Sequence, residues 1–162
     1  MRLSERVAIV TGGGKGIGSA YCRGLADEGA KVVVADIDVG GAEQVAEQIR
    51  SAGGKAAVSR FGGIDILLNN ASLMSALPRR AWHDIPFEEW DRVMGVNLRG
   101  MFLCCLAVFP VMRQRGYGKI INISSGRSLT ASSIGSTAPL LKLESSGSPA
   151  RWRESWVTTI SA

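Results

Sequence analysis

Apolar residues fall into short blocks that alternate in character along the chain. Arg6-Val7-Ala8-Ile9-Val10 is rich in β-branched residues, ends at Thr11 and three glycines, and reads as a buried strand. Beyond Gly18, apolar positions 17, 21, 22 and 25 follow a helical period that stops at Gly29. Lys31 to Ala35 (KVVVA) is a second buried strand, and Val45, Ala46 and Ile49 mark a helix over 41–52 that ends at Gly53-Gly54. A further strand is predicted over 64–69. A helix runs from Phe87 with Trp90, Val93 and Met94 on one face, and a second apolar helix runs over 101–115. Gly116-Tyr117-Gly118 breaks that helix, and Lys119 to Ile123 (KIINI) is the last strand. Strands alternating with helices predict an α/β fold, a doubly wound parallel sheet with helices on both faces.

Composition narrows the function. With 162 residues, 46% of them hydrophobic and 20% charged, the chain has the balance of one globular domain. The longest apolar run, Met101 to Met112, is 12 residues, against the ~20 of a membrane span. No signal-peptide pattern leads the chain, so a cytoplasmic protein without membrane contact is expected. The net charge of +5 is scattered, which argues against a nucleic-acid partner. Twenty glycines are more than average usage predicts, and their clustering carries the chemistry.

Thr11-Gly12-Gly13-Gly14-Lys15-Gly16-Ile17-Gly18 lies between the first strand and the first helix, where a phosphate-binding turn belongs. Gly12 allows a tight turn, Gly16 lets a pyrophosphate approach the backbone, and Gly18 lets the helix lie close to the strand. The helix start offers unpaired N–H groups to phosphates. Asp36 closes the second strand, where a carboxylate accepts the ribose hydroxyls of adenosine and repels a 2′-phosphate. The expected cofactor is NAD. Lys15 beside the loop could hold a 2′-phosphate and argues for NADP, which is the weaker expectation.

With these residues the chain resembles the short-chain dehydrogenase/reductase family. Thr11, Gly12, Gly16 and Gly18 match its T-G-x-x-x-G-x-G spacing, and Asp65-Ile66-Leu67 resembles its D-x-L strand. Asn69-Asn70-Ala71-Ser72 is similar to its N-N-A-G element, with Ser72 in place of the glycine. The resemblance adds Asn70 and Ala71 to the cofactor-binding set of Gly12, Lys15, Gly16, Ile17, Gly18 and Asp36. It also implies two catalytic positions: Asn97, which would hold a water of the proton relay, and Ser125, which would orient the substrate oxygen. The implied reaction is hydride transfer between NAD(P) and a small alcohol or ketone, with no metal. The 101–115 helix resembles the family's dimer helix and implies a homo-oligomer.

The resemblance also shows what is lacking. The family's proton donor is a tyrosine with a lysine four residues on, and the tyrosine must ionise far below its ordinary ~10. Only Tyr21 and Tyr117 occur, neither is followed by that lysine, and Lys142 stands in Leu140-Leu141-Lys142-Leu143-Glu144 without its tyrosine. A catalytically impaired dehydrogenase is expected, and the alternative is a non-enzymatic dinucleotide-binding or partner-binding remnant.

Two segments depart from the family. Residues 1–139 read as a partial NAD(P)-binding Rossmann domain, whereas 140–162 contain no periodic element. Shifting the reading frame lets this tail spell a helix similar to the one that follows the family's tyrosine. We expect out-of-frame translation there, and genomic DNA whose shifted frame lacks that helix would overturn it. Between Arg60 and Phe61 the family carries the rest of its third strand and a crossover helix. A full third strand would need a link of ~22 Å, whereas residues 59–63 reach only ~17 Å. The third strand is therefore expected to be frayed or missing, the edge of the second exposed, and the C-terminal strands and helices of the family absent.

Cys22, Cys104 and Cys105 have no metal-ligand spacing and read as core thiols. His83 reads as a surface residue and Trp90 as an apolar anchor. Trp152 and Trp156 beside Arg151 and Arg153 imitate a membrane helix, but belong to the irregular tail.

Overall fold

Val7–Thr11 (β1) and Lys31–Ala35 (β2) are almost wholly apolar because both are covered on two faces in a parallel sheet. The computed structural model describes residues 1–58, 63–73, 77, 78 and 81–123, with the backbone of 156–161. Gly16–Asp27 (α1) lies between β1 and β2, and Val39–Ser51 (α2) follows β2, started by the Asp38 side chain, which accepts the Gly41 N–H. Then follow Lys55–Ala57 (β3), Ile66–Asn69 (β4), a single 3-10 turn at 82–84, Phe87–Met94 (α3), Met101–Gln114 (α4), Tyr117–Asn122 (β5) and Trp156–Ser161 (β6).

The sheet order is β3-β2-β1-β4-β5-β6, parallel from β3 to β5, with β6 antiparallel on β5. Its parallel part, from β3 to β5, is the doubly wound sheet expected from the sequence. Alternate strand positions serve two layers. Ala8, Val10, Val32, Val34, Ile66 and Leu68 face α1 and α2 with Cys22, Ala26, Val45 and Ile49. Leu67 and Ile120 face α4 through Val108 and Met112. Each fully buried Val, Leu, Ile or Met side chain among them contributes ~1.5–3 kcal/mol.

The third strand is frayed to three residues but not missing. It pairs with Lys31 to Val33 of β2 and leaves only Val34 and Ala35 beyond its reach. The register explains how the short link suffices. Ala57 lies opposite Val33, which lies opposite Ile9, which lies opposite Leu67. The strand thus stops level with the middle of β4, and the link crosses three strand spacings, ~14 Å, with little return along the sheet. The estimate of ~22 Å assumed a full-length strand. Glu5 holds this edge from outside. It sits at φ 63°, and its carboxylate meets the ammonium groups of Lys31 at 2.5 Å and Lys55 at 3.3 Å, which are neighbours across β2 and β3.

Two further expectations are corrected. Gly95–Gly100 does not separate two helices but continues the turn as a π-helical segment, so Phe87–Gln114 is one helix of 28 residues. By length and composition it is long and apolar enough to cross a membrane, unlike the 12-residue run that the sequence suggests. The tail also contains an element, since 156–161 pairs with the whole of β5. Val157, Thr158, Thr159 and Ile160 are β-branched, and that local propensity outweighs the irregular text before them.

Candidate dinucleotide site

The glycine loop bridges β1 and α1 at the carboxyl ends of the strands. Gly12 at φ 66° and Gly16 at φ 56° take left-handed backbone that other residues rarely adopt. The loop is anchored to β2, because Gly13 N–H donates to the Ala35 carbonyl at 3.2 Å and Gly14 N–H to Asp36 Oδ2 at 2.9 Å. A Cβ on Gly18 would run into the Gly12 carbonyl oxygen, so only glycine lets α1 start so close to the turn. No side chain caps α1 at Lys15, and its first-turn N–H groups open toward the loop. Lys15 and Ile17 are both exposed beside it.

Asp36 is half-buried just past β2, and its other oxygen, Oδ1, accepts the Asp38 N–H at 3.0 Å. The carboxylate is thereby fixed at the rim of the loop. From β4, Asn70 crosses to the same place, with Nδ2 donating to the carbonyls of Thr11 and Gly12, each at 3.1 Å. The Thr11 hydroxyl oxygen accepts the backbone N–H groups of Asn70 at 3.0 Å and Ala71 at 3.1 Å. Thr11 was not among the expected site residues, although it heads the T-G-x-x-x-G-x-G pattern that signals it. The structure thus brings together Gly12, Gly16, Gly18, Asp36, Asn70 and Ala71, with Lys15 and Ile17 at the mouth.

The expected catalytic positions are separate. Asn97 lies in the π-helical segment, and its Oδ1 accepts the Leu73 N–H at 2.7 Å, tying the loop after β4 to the long helix. Ser125 lies outside the described residues. Near the end of β5 the Asn122 side chain accepts from Asn69 Nδ2 at 2.9 Å.

Tyr117 stands at the opposite end of β5 from this site. Tyr21 packs half-buried against the α1 and α2 core. Tyr117 begins β5 while Asn122 ends it, a separation of ~16 Å along the strand. The Arg6 guanidinium stacks over the Tyr117 ring at 3.9 Å and pairs with the buried Asp65 at 3.3 Å. Burial pushes the Cys22 thiol up to about 11 and raises Cys104 as well. Among the described residues no group of three or more His, Cys, Asp or Glu gathers into a metal-binding arrangement.

A strand, a glycine turn with left-handed backbone, an uncapped helix start and an acid just past the next strand form the arrangement that dinucleotide-binding α/β proteins share. The profile of the short chain dehydrogenase family matches residues 6–58 and 52–137, and the chain belongs to that family. It is 40% identical over 149 residues to a probable short-chain type dehydrogenase/reductase of Bradyrhizobium diazoefficiens, covering 80% of this chain and 53% of that protein. It is 40% identical over 143 residues to galactitol 2-dehydrogenase of Agrobacterium fabrum, covering 77% of this chain and 54% of that protein. The crystal structure of gox2181 superposes with a TM-score of 0.77 at 30% identity, over 87% of this chain and 62% of that one. The chain spans about half the length of the curated relatives that it matches.

Proposed function

We propose that this chain binds a nicotinamide dinucleotide, NAD in preference to NADP, and is catalytically impaired toward alcohols and ketones. The observation that carries the reading is the pairing of the Gly14 amide with the Asp36 carboxylate, which fixes an anion where the adenosine ribose would lie. The cradle fits the cofactor, since Gly12, Gly16 and Gly18 leave the backbone bare and the α1 start is uncapped. When bound, the group supplies hydride transfer. The backbone amides at the start of α1 would hold its phosphates, and Asp36 would accept from the ribose hydroxyls and turn away a 2′-phosphate. Tyr117 stands at the far end of its strand, which supports impairment. In this reading Asn97 keeps its place and Ser125 lacks its proton donor.

The two-part family match, broken near residue 58, supports a stretch missing between β3 and β4. The reading includes self-association through α4, where Phe102, Leu103, Leu106 and Phe109 are exposed. Fluorescence titration with NADH and NADPH, paired with a turnover assay on simple alcohols and ketones, tests it. Tighter binding of NADH without turnover is expected. Substrate oxidation would defeat the impairment, and failure to bind either nucleotide would leave a partner-binding remnant.

A further inference from the structure

We propose that the outer edge of β6 is a self-association surface that pairs antiparallel with β6 of a second copy of this chain. One edge of this strand is spent on β5, from Trp156 opposite Asn122 to Ser161 opposite Tyr117. The strand is also the last of the sheet, and among the described residues no further strand meets its other edge. A row of backbone N–H and C=O groups there is a template for another strand.

The two edges of the sheet differ. At the opposite end β3 is only three residues long and carries Lys55, itself engaged by Glu5. Shortness and charge are the devices that block strand addition. Trp156-Val157-Thr158-Thr159-Ile160-Ser161 has neither charge nor proline and is mostly β-branched. Antiparallel pairing of a strand with its own copy needs no second sequence, because a two-fold axis presents the same row of groups to itself.

Symmetry makes the proposal sharp. A two-fold axis normal to the sheet keeps each residue on its own face, and faces alternate along a strand. The axis must therefore pass at a residue, and for the longest overlap of 156–161 that residue is Thr158 or Thr159. The residue on the axis faces its own copy, whereas every other one faces a different residue.

The test is a series of single substitutions in the full chain, Val157→Cys, Thr158→Cys, Thr159→Cys, Ser161→Cys and, on α4, Leu106→Cys. Each is oxidised, and the linked peptides are mapped by mass spectrometry so that native Cys104 and Cys105 are accounted for. The expected result is a cysteine linked to its own copy at Thr158 or Thr159, at least tenfold above the other strand positions. Links through Leu106→Cys alone, or equal links along the whole strand, would overturn the proposal. Hydrogen exchange on the unsubstituted chain gives a second reading. Protection over 156–161 should rise with protein concentration, and protection independent of concentration in a monomer would overturn the proposal as well. Neither readout involves a nucleotide, so the outcome stands apart from the cofactor reading.

Discussion

Asp36 accepts the Gly14 amide at 2.9 Å, so the acid at the end of β2 holds the glycine loop, and in the proposed function it also accepts from the adenosine ribose. Asp36→Ala removes a charge-assisted acceptor worth ~1.5–3 kcal/mol, which corresponds to about 10–100-fold. NADH affinity should fall by that order while NADPH affinity rises, and fluorescence titration of both nucleotides checks the crossing.

Gly18→Ala places a methyl group against the Gly12 carbonyl oxygen, and the helix or the turn must shift to admit it. Overpacking of this kind costs ~1–3 kcal/mol. Urea unfolding should show a lower midpoint with the slope unchanged, and nucleotide titration should show lost binding. Unchanged affinity would mean that the close approach of α1 is not required.

Thr11 and Asn70 share one hydrogen-bonded knot, in which the hydroxyl of one takes the backbone of the other and the carboxamide returns to the loop. Thr11→Val and Asn70→Ala should each destabilise by ~1–3 kcal/mol. The double variant should fall short of their sum by more than ~0.5 kcal/mol, as expected of residues in contact. A double-mutant cycle by urea unfolding measures the coupling.

Glu28 titrates far from its ordinary value. The Arg2 side chain hydrogen bonds to its carboxylate, and the Arg2 backbone N–H adds a second, holding it at about 2 rather than 4.5. A lowered carboxyl gives stability that is present above its unfolded pKa and is lost as pH falls through the folded one. The difference in unfolding midpoint between the native chain and Glu28→Gln should therefore be full above pH 4.5 and vanish near pH 2. The pair is exposed, and salt should shrink the difference.

Cys22 is wholly buried under α1 with its thiol raised to about 11, while Cys104 and Cys105 are half-buried on α4. Alkylation at pH 8 followed by peptide mapping should modify Cys22 last, at the rate of unfolding. Early modification of Cys22 would show that the α1 layer opens locally.

The β-α-β-α half of the fold was legible because each block carries its own period and each break its own glycine, and the same glycines located the loop. Asp36 could be placed because its position depends only on where a strand ends, whereas Asn70 came from the family resemblance alone. The third strand is frayed to three residues, as expected, but where it stops was not legible, because no residue near Ala57 announces that stop. Gly95 and Gly100 look like a break in the text, yet glycine also permits a wider turn, so the fused helix was invisible. The strand at 156–161 was hidden because its partner lies more than thirty residues back, at the free edge of β5. Thr11 heads the T-G-x-x-x-G-x-G pattern, yet its role was not read from it, because its hydroxyl serves backbone groups of the distant Asn70 and Ala71.

The bond from the Leu73 amide to Asn97 sits between two surfaces with different tasks. Asn97 belongs to the helix whose outer side is bare, and Leu73 to the segment leaving Asn70 and Ala71. This bond ties the segment that leaves the cradle directly to the long helix. If the cradle holds the nucleotide and the helix a second copy, as proposed, any coupling through this bond acts equally in both directions.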